Sequence, residues 1–148
     1  MAADLMHLSA FFGLPDQDIR TVSPLTLAYV GDAVYEMVIR SILVGRGNCP
    51  VSRLHREATH LVRAGAQAQM LRTLEPLLTP EEASVSRRGR NAHSPTMAKN
   101  ATVAEYRHAT GFEALIGYLY LTGQTERMLT LIKAGLPEGI LQKEAINK

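Results

Sequence analysis

The sequence predicts an all-α single domain, and three observations carry that prediction. Proline, glycine and capping residues cut the chain into stretches whose apolar positions recur at helical spacing, and alternating strand patterns are absent. Two of these stretches, Ser23–Gly45 and, within the helix 102–122, His108–Thr122, are almost free of charge, as helices covered on more than one side must be. With 148 residues, 46% of them apolar and 20% charged, the chain is long enough to bury a core without disulfides or a structural metal. No repeat, low-complexity tract or linker divides it, so residues 1–148 read as one domain. Its core spans about residues 23–134, between a short N-terminal segment and a polar C-terminal tail.

A short amphipathic piece around Asp4–Phe12 comes first. The next stretch, SPLTLAYVGDAVYEMVIRSILVG, is the longest: Ser23 can cap it, and Pro24 suits a first turn where a missing N–H costs nothing. Leu27, Gly31, Val34, Val38 and Ile42 line one face while Ala28, Ile39 and Leu43 cover much of the opposite one, so this helix is expected to be central. The turn Gly45–Pro50, which contains Cys49, leads to a single long helix over 51–75 with Leu54, Ala58, Leu61, Val62, Ala68, Leu71 and Leu74 at helical spacing. Its outer face is basic, carrying Arg53, Arg56, Arg63 and Arg72. Thr79-Pro80-Glu81-Glu82 is a capping box opening a short helix that ends near Gly89. The stretch from Arg90 to Ala101 reads as a loop. Thr102 with Glu105 forms a second capping box for a helix to about Thr122, and a last helix runs from Thr125 to Ala134 before Gly135 and Pro137.

The formal charge of +2 is too small to name a partner, but its distribution is uneven. Residues 1–36 hold five acids against Arg20, whereas residues 86–108 hold Arg87, Arg88, Arg90, Lys99 and Arg107 against Glu105 alone. The second stretch is where an anionic ligand is expected, because arginine forms forked bonds to phosphate oxygens. No aromatic side chain interrupts the segment Ser86–Asn91, so contact with a duplex backbone fits better than stacking on single-stranded bases; a solvated basic loop is the bland alternative. A single cysteine excludes an internal disulfide and a cysteine-cluster zinc site. The N-terminus lacks the basic and apolar regions of a signal peptide, and no apolar run is long enough for a membrane span. A cytoplasmic location without membrane contact is expected. The five histidines form no metal-ligand pattern; His93, inside the basic stretch, is a surface residue or a substrate contact.

Chemistry is expected at two acids. Asp32 and Glu113 each stand near the middle of one of the two apolar helices, and a lone buried carboxylate is expensive. Either each is structural, bonded to an arginine, a tyrosine hydroxyl or a backbone N–H, or the two meet around something positive. A hard divalent cation held through oxygens is the usual solution, with magnesium keeping several waters beside one or two carboxylates. Such an ion could activate water and steady charge on a phosphate. Glu36, one turn after Asp32, is a helper ligand or, more simply, the salt-bridge partner of Arg40.

These residues also carry a resemblance. LAYVGDAVYE, Leu27–Glu36, resembles the signature helix of the ribonuclease III family, and FEALIGYLYL, Phe112–Leu121, resembles that family's second catalytic helix. The stretch RRGRNAHSPTMAKN and the lack of a double-stranded-RNA-binding domain resemble, more narrowly, the bacterial Mini-III ribonucleases. The resemblance implies the α-helical ribonuclease III domain, working as a homodimer that packs signature helices together. It implies a magnesium-dependent endonuclease, with manganese able to substitute, that cuts duplex RNA to leave 5′-phosphate and 3′-hydroxyl ends. By the same resemblance the substrate is the precursor of large-subunit (23S) ribosomal RNA, with a ribosomal protein as a conceivable companion on it. Asp32 and Glu113 match the family's metal ligands. Full-length members have a glutamate where this chain has Ala28 and an aspartate where it has Thr110, a thinner set that leaves a cation more dependent on water and substrate oxygens. Arg87, Arg88, Arg90 and Lys99 are the candidates for gripping the RNA backbone. The rival expectation is a non-catalytic helical RNA-binding or ribosome-assembly factor with the same fold. A helical DNA-binding dimer is disfavoured, since no exposed recognition helix follows a tight bend.

Overall fold

The computed structural model describes residues 7–92 and 102–142, and within them the chain is helical with no strand. The elements are α1 (Leu8–Phe11), α2 (Pro24–Gly45), α3 (Val51–Val62), α4 (Ala64–Leu74), α5 (Pro80–Asn91), α6 (Val103–Leu121) and α7 (Thr125–Gly135), with 3-10 turns at Ile19–Thr21 and Glu75–Leu77. Helix starts follow the capping signals. The Ser23 hydroxyl accepts from the Thr26 N–H, and both capping boxes close reciprocally, Thr79 with Glu82 and Thr102 with Glu105.

Two boundaries differ from the sequence expectation. The helix expected over 51–75 is broken at Arg63, whose ψ of 157° is extended and which ends α3 and opens α4. The cause is tertiary: α3 packs on α2 while α4 packs on α6 and α7, and one straight rod cannot reach both surfaces. Helix α5, expected to end near Gly89, continues through Arg90 to Asn91, so these two residues belong to a helix end rather than to a loop.

The centre of the domain is α6. It packs against α2, α4, α5 and α7, and Phe112, Ala114, Leu115, Ile116 and Leu119 on it are all fully buried. A helix that is apolar all round belongs in such a position. Helix α2, expected to be central, is covered along one side only, where Leu27, Ala28, Gly31, Val34, Tyr35, Ile39 and Leu43 are buried against α6, α3 and α5. On its other side Tyr29, Met37 and Val44 are 81%, 44% and 63% exposed. Tyr35 and Phe112 join α2 to α6 through an edge-to-face contact with centroids 4.8 Å apart, an arrangement that adds about 1 kcal/mol to the burial itself. The buried Tyr35 hydroxyl donates to the Leu61 carbonyl at 3.4 Å, and burial raises its pKa above the ordinary tyrosine value.

Helix α7 is fastened by charge. Glu82, 3% exposed, receives two bonds from Arg127, at 2.9 Å from Nε and 2.8 Å from an Nη, while also accepting from the Thr79 N–H at 2.9 Å. The Arg127 guanidinium holds the Glu82 carboxyl below the usual carboxylate range, and its Nη also donates to the Leu77 carbonyl.

Candidate active site

The site depends on how closely α2 and α6 approach. A Cβ on Gly31 would strike the carbonyl of Glu113, and one on Gly117 would strike the carbonyl of Leu27, so the two backbones lie in direct contact at this crossing. Asp32 follows Gly31, and Glu113 lies one turn before Gly117, so the glycine crossing brings the two acids together. A glycine inside a helix costs roughly 0.5–1 kcal/mol relative to alanine, which is the sequence signal that some close approach needs it. Sequence reading placed Gly31 merely among apolar face residues and missed Gly117.

Asp32 is exposed and Glu113 is half-buried, and their side chains are within hydrogen-bonding reach of each other. Burial pushes the Glu113 carboxyl up to about 9, with the hydrogen bond to Asp32 and its negative charge acting in the same direction. Two hard oxygen groups facing one another at an accessible edge suit a hard divalent cation, which would be held by Asp32 and Glu113. No third acid, histidine or cysteine joins them among the described residues. Glu36 is bound instead to Arg40 at 2.8 Å, as the simpler of its two expected roles required. Ala28 is packed with Leu27, Val85 and Ala114, and the buried Thr110 hydroxyl donates to the Tyr106 carbonyl at 3.0 Å. Neither position offers an oxygen to a cation.

Arg87, Arg88 and Arg90 are set out along the end of α5, which packs against α6. A Cβ on Gly89 would lie 2.9 Å from the Gly111 Cα and from the Ala114 Cβ, so this crossing too is backed by glycine. Arg87 and Arg88 are exposed to solvent. Arg90 is placed differently: it is half-buried, its Nη1 lies 4.0 Å from a Glu75 carboxylate oxygen, and its Nε is buried without a hydrogen-bond partner. Lys99 and His93 lie outside the described residues. No described helix is long and apolar enough to cross a membrane.

Comparison with known proteins agrees with this geometry. The model of the Ribonuclease III domain matches residues 25–124, a span containing both acids and the end of α5. A protein from Symbiobacterium thermophilum named Mini-ribonuclease 3 is 53% identical over 114 residues, covering 77% of this chain and 88% of its own length. Its namesake from Enterococcus faecalis is 52% identical over 118 residues, covering 78% of this chain and 89% of its own. A crystal structure of a protein from Fusobacterium nucleatum is 31% identical, with a TM-score of 0.73 over 80% of this chain and 94% of that one.

Proposed function

This chain belongs to the ribonuclease III family and is an endoribonuclease, and we propose that it cleaves double-stranded RNA with a magnesium ion held between Asp32 and Glu113. The observation that carries this reading is the meeting of those two acids, distant in sequence, at one accessible spot where α2 crosses α6. When bound there, the cation supplies activation of water and offsets charge gathering on the phosphate. Asp32 and Glu113 orient it with their carboxylate oxygens. Arg87 and Arg88, with Lys99, grip the duplex backbone, and their reach is to phosphates rather than bases. Arg90 belongs to the same basic turn but is drawn toward the protein by Glu75. Manganese, which takes similar oxygen ligands, should substitute for magnesium.

The natural substrate on this reading is the precursor of 23S ribosomal RNA, trimmed at its ends to 5′-phosphate and 3′-hydroxyl products, in the cytoplasm. That part rests on the likeness to the Mini-III ribonucleases. A homodimer formed across the open side of α2 places one site on each strand of the duplex; exposed Tyr29, Met37 and Val44 support that face as the interface.

The test is Asp32→Asn, assayed on a structured duplex carrying the ends of 23S precursor RNA, with Mg²⁺ and then with EDTA. The variant is expected to fold and dimerise like the parent while hydrolysis falls by about three orders of magnitude, the size of effect expected when a transition-state charge stabiliser is lost. Undiminished cutting by this variant, or metal-independent cutting by the parent, overturns the site. Equal rates on unrelated duplexes overturn the ribosomal substrate alone.

A further inference from the structure

We propose that Glu75 is a positioning residue for RNA cleavage, a carboxylate that fixes the basic end of α5 against the catalytic helix α6. The inference rests on the nuclease reading above and adds to it a residue that makes no contact with RNA or cation. Glu75 opens the 3-10 turn after α4, outside both helices it joins. One of its oxygens lies 4.0 Å from Arg90 Nη1 on α5 and 4.0 Å from His108 Nε2 on α6. The His108 Nδ1 donates to the Ala104 carbonyl at 2.9 Å, which fixes the ring, so Nε2 attracts Glu75 only when the imidazole is protonated and Arg90 is the standing partner. Arg90 is pinned along its stem as well, since its Cγ lies 2.7 Å from where a Cβ on Gly111 would stand.

The arrangement has a geometric consequence. Arg90 is adjacent to Gly89, where α5 touches α6 at Gly111 and Ala114, and Glu113 lies between those two positions on α6. Whatever fixes Arg90 therefore also fixes Arg87 and Arg88, less than one helical turn earlier, relative to the acid that holds the cation. An unfastened α5 end could still carry positive charge, but its arginines would have to be ordered on each encounter with a duplex. That ordering cost falls on binding and raises KM more than it lowers kcat.

Three variants of the full chain test this: Glu75→Ala, Glu75→Gln and Glu75→Asp. For each, kcat and KM on duplex RNA are measured beside the melting temperature, with Asp32→Asn in the same assay. Removing the charge, by Ala or by Gln, is expected to raise KM about three- to tenfold with kcat within about twofold, the range of a partly exposed charge contact, while Asp recovers part of the loss. A KM unchanged in the Ala and Gln variants, even with a lowered melting temperature, overturns the proposal and leaves Glu75 a structural residue. A lowered KM overturns it too, since Glu75 would then merely compete with RNA phosphates for Arg90. Undiminished cutting by Asp32→Asn would sink the nuclease site itself, an outcome distinct from either.

Discussion

Glu113 is a carboxyl group kept protonated near neutral pH by its surroundings, because burial and the facing Asp32 both disfavour its charge. A group whose folded pKa is raised contributes stability fully present below its unfolded value of about 4.5, and that contribution is lost as pH rises through about 9. The metal-free protein should therefore lose stability progressively from about pH 5 to pH 9, a trend flattened in Glu113→Gln; urea denaturation across that range measures it, and a parallel slope in the variant would assign it to other groups. A divalent cation held as proposed would displace this proton, so titrating Mn²⁺ at pH 7 in buffers of differing ionisation enthalpy should report release of about one proton. Both acids were legible in the sequence because a lone charge in an apolar helix is conspicuous. The approach of Arg90 to Glu75 was not, since the two belong to different elements and no spacing rule joins them.

Local signals at the scale of elements are strong where they involve caps and weak where they involve packing. The helices capped by Thr79 and Thr102 follow from a hydroxyl and a glutamate three residues apart, and the one capped by Ser23 from its hydroxyl with Pro24 behind it. The break at Arg63 has no proline and only Gly65, already inside the first turn of α4, near the joint; it arises because α3 and α4 lie on different neighbours. The crossing of α2 and α6 is likewise a property of two elements, and it yields a sharp prediction. In Gly31→Ala the new methyl meets backbone rather than a flexible side chain, so the helices must separate. Stability should fall by about 3 kcal/mol or more, beyond the usual overpacking cost, and residual activity should drop about a hundredfold even at temperatures where the variant is folded. Denaturant midpoints paired with single-turnover rates decide whether the crossing also sets the site. The α7 fastening behaves differently. Arg127→Ala strands the buried Glu82 carboxylate, at a cost near 2 kcal/mol because the arginine is itself a third exposed. The lowered Glu82 pKa makes this stabilisation present above the unfolded value and lost as pH falls through the folded one, so the variant and parent should converge in stability in acid.

The molecule as a whole leaves one inconsistency that a second copy would resolve. The central helix, α6, buries Phe112, Ala114, Leu115, Ile116 and Leu119 completely, yet α2, at least as poor in charge, presents Tyr29, Met37 and Val44 to solvent beside a shallow depression of about 670 Å³. Ala33, Met37, Ser41, Val44 and Gly45 line it together with the ion pair of Glu36 and Arg40. The sequence made this helix look central, and in a twofold pair it would be: each α2 would cover the other, giving it the second covered side that its composition demands. A twofold interface is made of the same patch on both partners, so one substitution enters it twice. Met37→Glu places two like charges on opposing copies of an apolar patch while touching nothing in the buried core. The parent should sediment as a dimer at micromolar concentration and the variant as a monomer with unchanged helical circular dichroism. Cleavage of duplex RNA by that monomer should weaken chiefly through KM, since half of the cationic surface that meets the duplex has been removed. A parent that is monomeric under the conditions where it cuts RNA would refute the paired arrangement while leaving the chemistry of each site intact.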